Sequence, residues 1–344
     1  IPTYRWISSW EITHAHPEGL RQRAISFALQ SLVTMGLGLV VWDRSEFLLL
    51  KWRSADISQI AFYSVAFSMA GRLLVSSTIF GSAAGATIFA QYGRDESKLP
   101  NLVSSAYRYL AMSSIPIHTI FTALAVPVLL LLYGGQYAGA EAVVLIAPLL
   151  CMSKAFFSPV QNLLQSFEKQ RWIIAVTVFA GVIDMSLAWI LIPAHGAVGA
   201  CIANGVAQFV AILLLWSIAI RTFKVKLPWL LTGKVAVASV AAALAGHFCA
   251  RRLLPAARPT AHVAHSLQYW VINASAVLVC GVVSLTVLLI LFYLFRILQE
   301  EDRNRLNQIA SMLPGRFSTL AKTVVSGLIR TKRIPVTATN AALF

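Results

Sequence analysis

The sequence predicts an all-α fold, a polytopic membrane helical bundle of about eight transmembrane helices. Two observations carry this. First, 58% of the 344 residues are hydrophobic and only 12% are charged, about half the charge of an ordinary soluble domain. So little charge cannot cover a water-facing surface. Second, the apolar residues gather into runs of about 20, the length at which a helix crosses the hydrocarbon of a bilayer. The net charge of +15 does not point to nucleic acid. The Lys and Arg residues sit in short segments between apolar runs, which is the pattern of membrane orientation.

In chain order, residues 1–22 read as a cytoplasmic juxtamembrane segment, beginning at Ile1 with no initiator Met. Spans are expected at 23–42, 58–80, 106–132, 142–164, 172–192, 197–220, 231–250 and 269–295. The second is expected to continue as helix to about residue 92. Trp42, Tyr133, Trp172, Trp216, Trp229 and Trp270 fall near span ends, where amphipathic rings favour the headgroup layer. With the N-terminus inside, the outer loops hold Arg44, Lys51, Arg53, Arg251, Arg252 and Arg258. Arg72 and Lys154 lie within spans, and the remaining basic residues fall on the inner side. Both termini are therefore expected in the cytoplasm. The cluster Arg251, Arg252 and Arg258 runs against this bias. In the tail, 296–344, Phe317, Leu320, Val324 and Leu328 recur at helical spacing beside Arg316, Lys322 and Arg330. This fits a basic amphipathic helix on anionic inner-leaflet lipid, or a frayed tail.

Ionisable groups in hydrocarbon cost at least ~2.5–3.5 kcal/mol and usually face a cavity or a partner. Arg72 lies about 24 Å along a helix starting near Asp56, at ~1.5 Å per residue. It is either a cavity cation for an anionic substrate or an arginine paired to a carbonyl or acid. Lys154 is bracketed by Pro148 and Pro159, and Pro159 is expected to open a kink. The lysine then lines a cavity or snorkels. Asp184 lies about 18 Å from Trp172 by the same rise. It carries a coupling proton, pairs with Arg72 or Lys154, or is a protonated acid bonded between helices. Asn204 and Gln208 are four apart, hence on one helix face. Beside them Gly199, Ala203, Ala207 and Ala211 form a small-residue ladder that lets helices approach closely. Gln161, Asn204 and Gln208 are candidates for the polar lining of a sugar path. Gly81 and Gly85 form one GxxxG pair. Asp43, Arg44, Glu46, Lys51, Arg53 and Asp56 read as a solvated outer loop, or as a gate.

Cys151, Cys201, Cys249 and Cys280 lie in or beside apolar runs and form no CxxC pair, so they read as packing residues. No phosphate-cradling loop, zinc motif or nucleophile motif occurs, and no cofactor is expected.

The segments Gln161-Asn-Leu-Leu-Gln…Glu168-Lys-Gln-Arg171 and Leu191-Ile-Pro-Ala-His-Gly-Ala-Val-Gly-Ala200 resemble one superfamily. So does Ser45-Glu-Phe-Leu-Leu-Leu-Lys-Trp followed by Tyr63-Ser-Val-Ala and Arg72. They are similar to the polysaccharide-biosynthesis, lipid-linked-oligosaccharide flippase branch of the multidrug/oligosaccharidyl-lipid/polysaccharide exporter superfamily. The resemblance implies two helical bundles related by pseudo-symmetry and alternating access between them. It places 23–220 as a six-span bundle like the C-terminal lobe and 221–295 as two additional spans. A missing N-terminal half, or a partner subunit, is then expected. The implied substrate is an undecaprenyl-pyrophosphate-linked glycan, moved across a bacterial cytoplasmic membrane for exopolysaccharide, capsule or O-antigen synthesis. Arg72 is the residue the resemblance carries over for the anion; Lys154, the second candidate cation, has no firm counterpart in it and rests on its place in the span. At Asp184 the resemblance implies a neutral residue instead. The alternatives are a multidrug exporter of the same superfamily, a membrane-embedded glycan polymerase or ligase, and a transport-dead scaffold.

Overall fold

The computed structural model describes residues 19–43, 45–54, 56–253 and 267–299, with scattered positions of the tail. The segment 1–18 and the expected tail helix lie outside the described residues. Ten α-helices follow: α1 Leu20–Asp43, α2 Ser45–Arg53, α3 Ser58–Leu73, α4 Val75–Tyr92, α5 Leu99–Tyr133, α6 Glu141–Cys151, α7 Phe157–Ser166, α8 Gln170–Phe223, α9 Trp229–Leu253 and α10 Leu267–Leu294. No strand occurs among the described residues.

Among the described residues, six helical stretches are long and apolar enough to cross a membrane, or seven when the bent pair α3–α4 is taken as one span. The longest, α8, has 54 residues, about 81 Å at ~1.5 Å per residue, far more than one bilayer. It is broken at Gly196, whose φ of 52° and ψ of −128° are not helical. Past the break, a Cβ on Gly199 would stand 2.4 Å from the Leu191 carbonyl oxygen. The chain has therefore folded back on itself, and α8 supplies two legs. With α8 counted as two legs and α3–α4 as one, the number of helical legs equals the eight spans expected.

The other irregularities have local causes. α3 and α4 meet at 45°. Gly71 precedes the bend, and the hydroxyls of Ser76 and Thr78 take the carbonyls of Leu73 and Leu74. Hydroxyl back-bonding of this kind bends helices. The fourth leg breaks into a 3₁₀ turn at Met152–Phe156 between α6 and α7. Pro159 sits just inside α7. Its ring excludes the carbonyl of residue 155 from an α-helical bond, so the turn before it tightens. The expected kink is thus real, but it lies on the N-terminal side of the proline and holds Lys154 itself.

Exposed apolar side chains such as Val178, Val182, Met185 and Trp189 on α8 form the lipid-facing surface. Lipid offers no hydrophobic drive between helices, so close packing and internal hydrogen bonds hold the legs together. α4 and α7 show this directly. A Cβ on Gly81 would meet Ser158 Cβ at 2.6 Å, and one on Gly85 would meet Asn162 Nδ2 at 2.7 Å. Asn162 Nδ2 donates to the Gly81 carbonyl at 3.2 Å. The GxxxG pair is therefore the seam of two parallel legs. The small-residue ladder of α8 is likewise buried, and Gly205 abuts the Leu150 side chain of α6. α9 and α10 pack on each other and on α5.

Most of the core lies in two apolar blocks stacked along the helix axes, with a small third cluster of Leu124, Ala250 and Cys280 where α9 and α10 meet α5. The first block holds Ile88, Leu99, Leu110, Leu163, Ile173 and Leu215. The second holds Leu50, Tyr63, Leu129, Val144, Ile192 and Ala200. Buried polar residues lie between these two blocks in sequence: Glu46, Ser77, His118, Ser153, Asp184, Asn204 and Gln208. Basic residues such as Arg94, Lys98, Lys169, Arg171 and Lys224 crowd the ends of the legs beside the first block. That end is called the basic end below.

Candidate functional site

Two groups of polar residues occupy the layer between the blocks. The first is cationic. Arg72 ends α3 at the bend and is exposed, with no ion pair among the described residues. Lys154 is half-buried in the 3₁₀ turn of the neighbouring leg. The seam fixes their relative depth. Gly81 pairs with Ser158 and Gly85 with Asn162, so residue 77 stands level with Lys154. Arg72 is then about 7 Å farther along, at ~1.5 Å per residue. Both cations thus lie at helix breaks on adjacent parallel legs. From Lys154 the half-buried residues Ser158, Gln161 and Gln165 continue at helical spacing toward the basic end. Ser158 lies in the seam itself, and Gln161 and Gln165 make a polar stripe beside it. On α4, the exposed Thr78 and Ser82 flank the same side by helical phase.

The second group is acidic and closed. Glu46 is 0% and Asp184 1% exposed. Ser45 Oγ lies 3.1 Å from the Val41 carbonyl, 3.0 Å from Glu46 Oε1 and 3.0 Å from Asp184 Oδ2. Asn204 Nδ2 donates to Glu46 Oε1, and Gln208 Nε2 donates to Asn204 Oδ1. A hydroxyl has one hydrogen to give, so it cannot serve three acceptors. Glu46 Oε2, Asp184 Oδ1 and Gln208 Oε1 are also buried without a hydrogen-bond donor. The cluster is therefore short of positive charge or hydrogens. Chemically it can take up a proton or a small cation.

These placements revise several expectations. Asp184 meets neither Arg72 nor Lys154; its partners are Ser45 and Glu46. Asn204 and Gln208 are each 3% exposed and line no open path in this conformation, because Glu46 draws their amides inward. Gln161 does reach a surface. Glu46 is not in a solvated loop: α2 buries Ser45, Glu46, Leu49 and Leu50 on one face. The signal was present, since Glu46, Leu49 and Leu50 stand at i, i+3 and i+4. The charges around it hid the pattern. Asp56 does behave as a loop acid, its carboxyl held below the usual range by the Ser58 hydroxyl and amide and by Gln59.

The geometry defines a class: a multi-pass helical membrane protein with a polar layer between two apolar blocks, one side of it cationic. The fold is similar to that of the lipid II flippase MurJ in its inward closed conformation, with a TM-score of 0.59 and 12% identity. The match covers 78% of this chain and 52% of that one, so the chain spans about half the length of that structure. At this identity the likeness is one of fold alone. No family model matches the chain, and no curated protein matches it by sequence.

Proposed function

We propose that the chain acts in a flippase that moves a lipid-linked oligosaccharide or polysaccharide precursor across the bacterial cytoplasmic membrane. The observation that carries the reading is the placement of Arg72 and Lys154 at neighbouring helix breaks beside the stripe of Gln161 and Gln165. A pyrophosphate linked to sugars calls for cations in a cavity and for hydroxyls and amides along the glycan. The MurJ-like fold supports a lipid-linked cargo. It also supports a requirement for a second bundle, against which this one rocks in alternating access. The Glu46–Asp184 cluster is the coupling site of this reading, exchanging a proton or an alkali cation. Residues 23–220 serve as the transporting bundle, with the termini in the cytoplasm.

The test is glycan export in a null strain carrying the full-length transporter. Arg72→Ala and Lys154→Ala are each expected to cut export by about tenfold or more, the scale of losing one charged contact. Normal export by both variants sinks the cavity-cation reading. A multidrug exporter for cationic drugs calls for exposed acids in the cavity, whereas Glu46 and Asp184 are closed off and Arg72 is open. Drug susceptibility that changes while surface glycan stays constant would favour that alternative. Transport rather than catalysis is proposed because the outer loops that the sequence predicts are about twenty residues or shorter. Glycan turnover dependent on Arg251 or Arg252 would reverse it.

A further inference from the structure

A second cationic site lies outside the transporting bundle, at the basic end, where α5, the start of α9 and the chain leaving α10 meet. The cavity there measures about 540 Å³ and is lined by Arg108, Lys234, Arg296 and Gln299 together with Trp229, Leu230 and Ile297. Its construction follows from two short-range features. Arg296 adopts a left-handed φ of 53° and turns the chain sharply after α10. Ile297 is then buried in the core at 1% exposure. Asp302 closes the turn. It accepts from Arg108 Nη1 at 2.9 Å, Arg108 Nη2 at 2.5 Å, the Tyr109 hydroxyl at 2.8 Å and the Gln299 amide at 2.8 Å.

That latch decides the charge of the cavity. Among the described residues Asp302 is the acid beside it, and Arg108 neutralises that acid. Lys234 Nζ rests on the Phe295 carbonyl at 3.3 Å, a neutral group. Arg296 has no ion pair among the described residues. Among the described residues, two positive charges therefore stand over the cavity without an ion pair. Leu230 and Leu231 also line the cavity in the first turn of α9, where a helix leaves N–H groups without internal partners; the amides of Trp229 and Thr232 already bond the Leu227 and Pro228 carbonyls. The other wall is apolar and open to the side. Trp229 is 61% and Leu230 78% exposed, and a tryptophan at a span end marks the headgroup layer.

We infer that this cavity binds the headgroup of an anionic phospholipid of the surrounding leaflet. Lys234, Arg296 and the amides of Leu230 and Leu231 take the phosphodiester, and the Leu230 and Trp229 side chains take the upper acyl chains. The site needs no transported cargo and is independent of the proposed transport. It ties α9 and α10, the pair outside the six-leg bundle, to the lipid composition of one leaflet.

The experiment uses the full chain in neutral detergent with equal amounts of phosphatidylglycerol and phosphatidylcholine, and bound lipid is counted by native mass spectrometry. Preferential retention of phosphatidylglycerol is expected. Arg296→Gln and Lys234→Gln should each reduce that preference by about fivefold, the effect of one surface cation on an anionic lipid. Arg296→Lys keeps the charge and should keep the preference, which separates binding from folding. Arg221→Gln removes a cation of the same end outside the cavity and should change nothing. Equal retention of both lipids, or equal loss in the Arg221 variant, overturns the inference. Displacement of the lipid by millimolar inorganic phosphate alone overturns it in favour of a free-anion site. Displacement by an equal amount of a polyprenyl pyrophosphate assigns the cavity to the cargo and overturns it as well.

Discussion

Ser45 and Asp184 are joined by a 3.0 Å hydrogen bond across 139 positions of sequence. The bond fastens the start of α2 to the first leg of α8 inside the polar layer. Because Glu46 leans on the same hydroxyl at 3.0 Å, a change at either acid is felt by the other. Asp184→Asn supplies hydrogens that the cluster lacks and leaves its shape intact. It should keep the thermal midpoint in detergent within a few degrees of the parent. In the full-length transporter it should lower export by about tenfold or more, the size of a typical coupling free energy. Asp184→Leu should instead lower stability by about 2 kcal/mol, since Ser45 and Glu46 lose a buried partner. Parent-like export by the Asn variant would remove the cluster from the mechanism.

The α4–α7 seam makes a prediction about shape. Gly81→Leu forces a side chain into Ser158, whose Cβ would stand 2.6 Å from the new Cβ. Overpacking of this kind costs about 1–3 kcal/mol, and the loss should appear in thermal unfolding. Gly81→Ala with Ser158→Gly returns the space and should recover most of the stability that Gly81→Ala alone loses. Failure of the pair to recover would mean that the two legs do not touch there.

At the α8 turn the backbone itself is tested. Gly196 has a φ of 52°, which an L-residue adopts only with strain, and a Cβ there would meet Gln59 Oε1 at 2.4 Å. That oxygen also accepts the Ala197 amide at 3.0 Å. Gly196→Val should destabilise by about 2 kcal/mol or more through strain and clash. Gln59→Ala should cost about 1 kcal/mol through the lost cap. Thermal scans of the two variants give the ranking; a larger effect from Gln59→Ala would contradict it.

The tail latch titrates. Burial alone would raise the Asp302 carboxyl, but hydrogen bonds from Arg108, the Gln299 amide and Tyr109 outweigh it and hold the carboxyl below its ordinary value of 3.8. A depressed carboxyl stabilises the fold above its unfolded value and loses that contribution as pH falls through the folded one. The latch should therefore be constant from neutral pH down to about 4 and weaken below it. Hydrogen exchange over residues 295–299 should accelerate only in the lower range. Asp302→Asn should abolish that dependence and cost about 3 kcal/mol locally, because Arg108 is left without its partner.

Much of this was legible in the sequence, and the losses have physical reasons. Arg72, Lys154 and Asp184 stand out because a charge inside an apolar run is expensive and conspicuous. Their grouping was not legible. Which legs run side by side is set by Gly81 and Gly85 against Ser158 and Asn162, and by Gly181, where a Cβ would lie 3.0 Å from Val41 Cγ2. Those contacts are distant in sequence and built from common small residues. Glu46 was hidden for a different reason. Its helix is nine residues long, and the charges around it break the hydropathy of the run. Only the spacing of Leu49 and Leu50 betrays its buried face. The proline kink was foreseeable in kind, whereas its exact residues depend on how the freed carbonyl is satisfied.

The bend at Leu74 and the 3₁₀ turn at Met152–Phe156 occur on adjacent legs at nearly the same depth, and Leu74 packs against both apolar blocks. At these points the regular helical bonds are already interrupted, so a change of tilt there breaks few new ones. Together they form a crease shared by these two legs, while α5 and both legs of α8 run unbroken through the same depth. Arg72 and Lys154 sit along that crease. An anion gripped between them would stiffen it, and its release would let it flex.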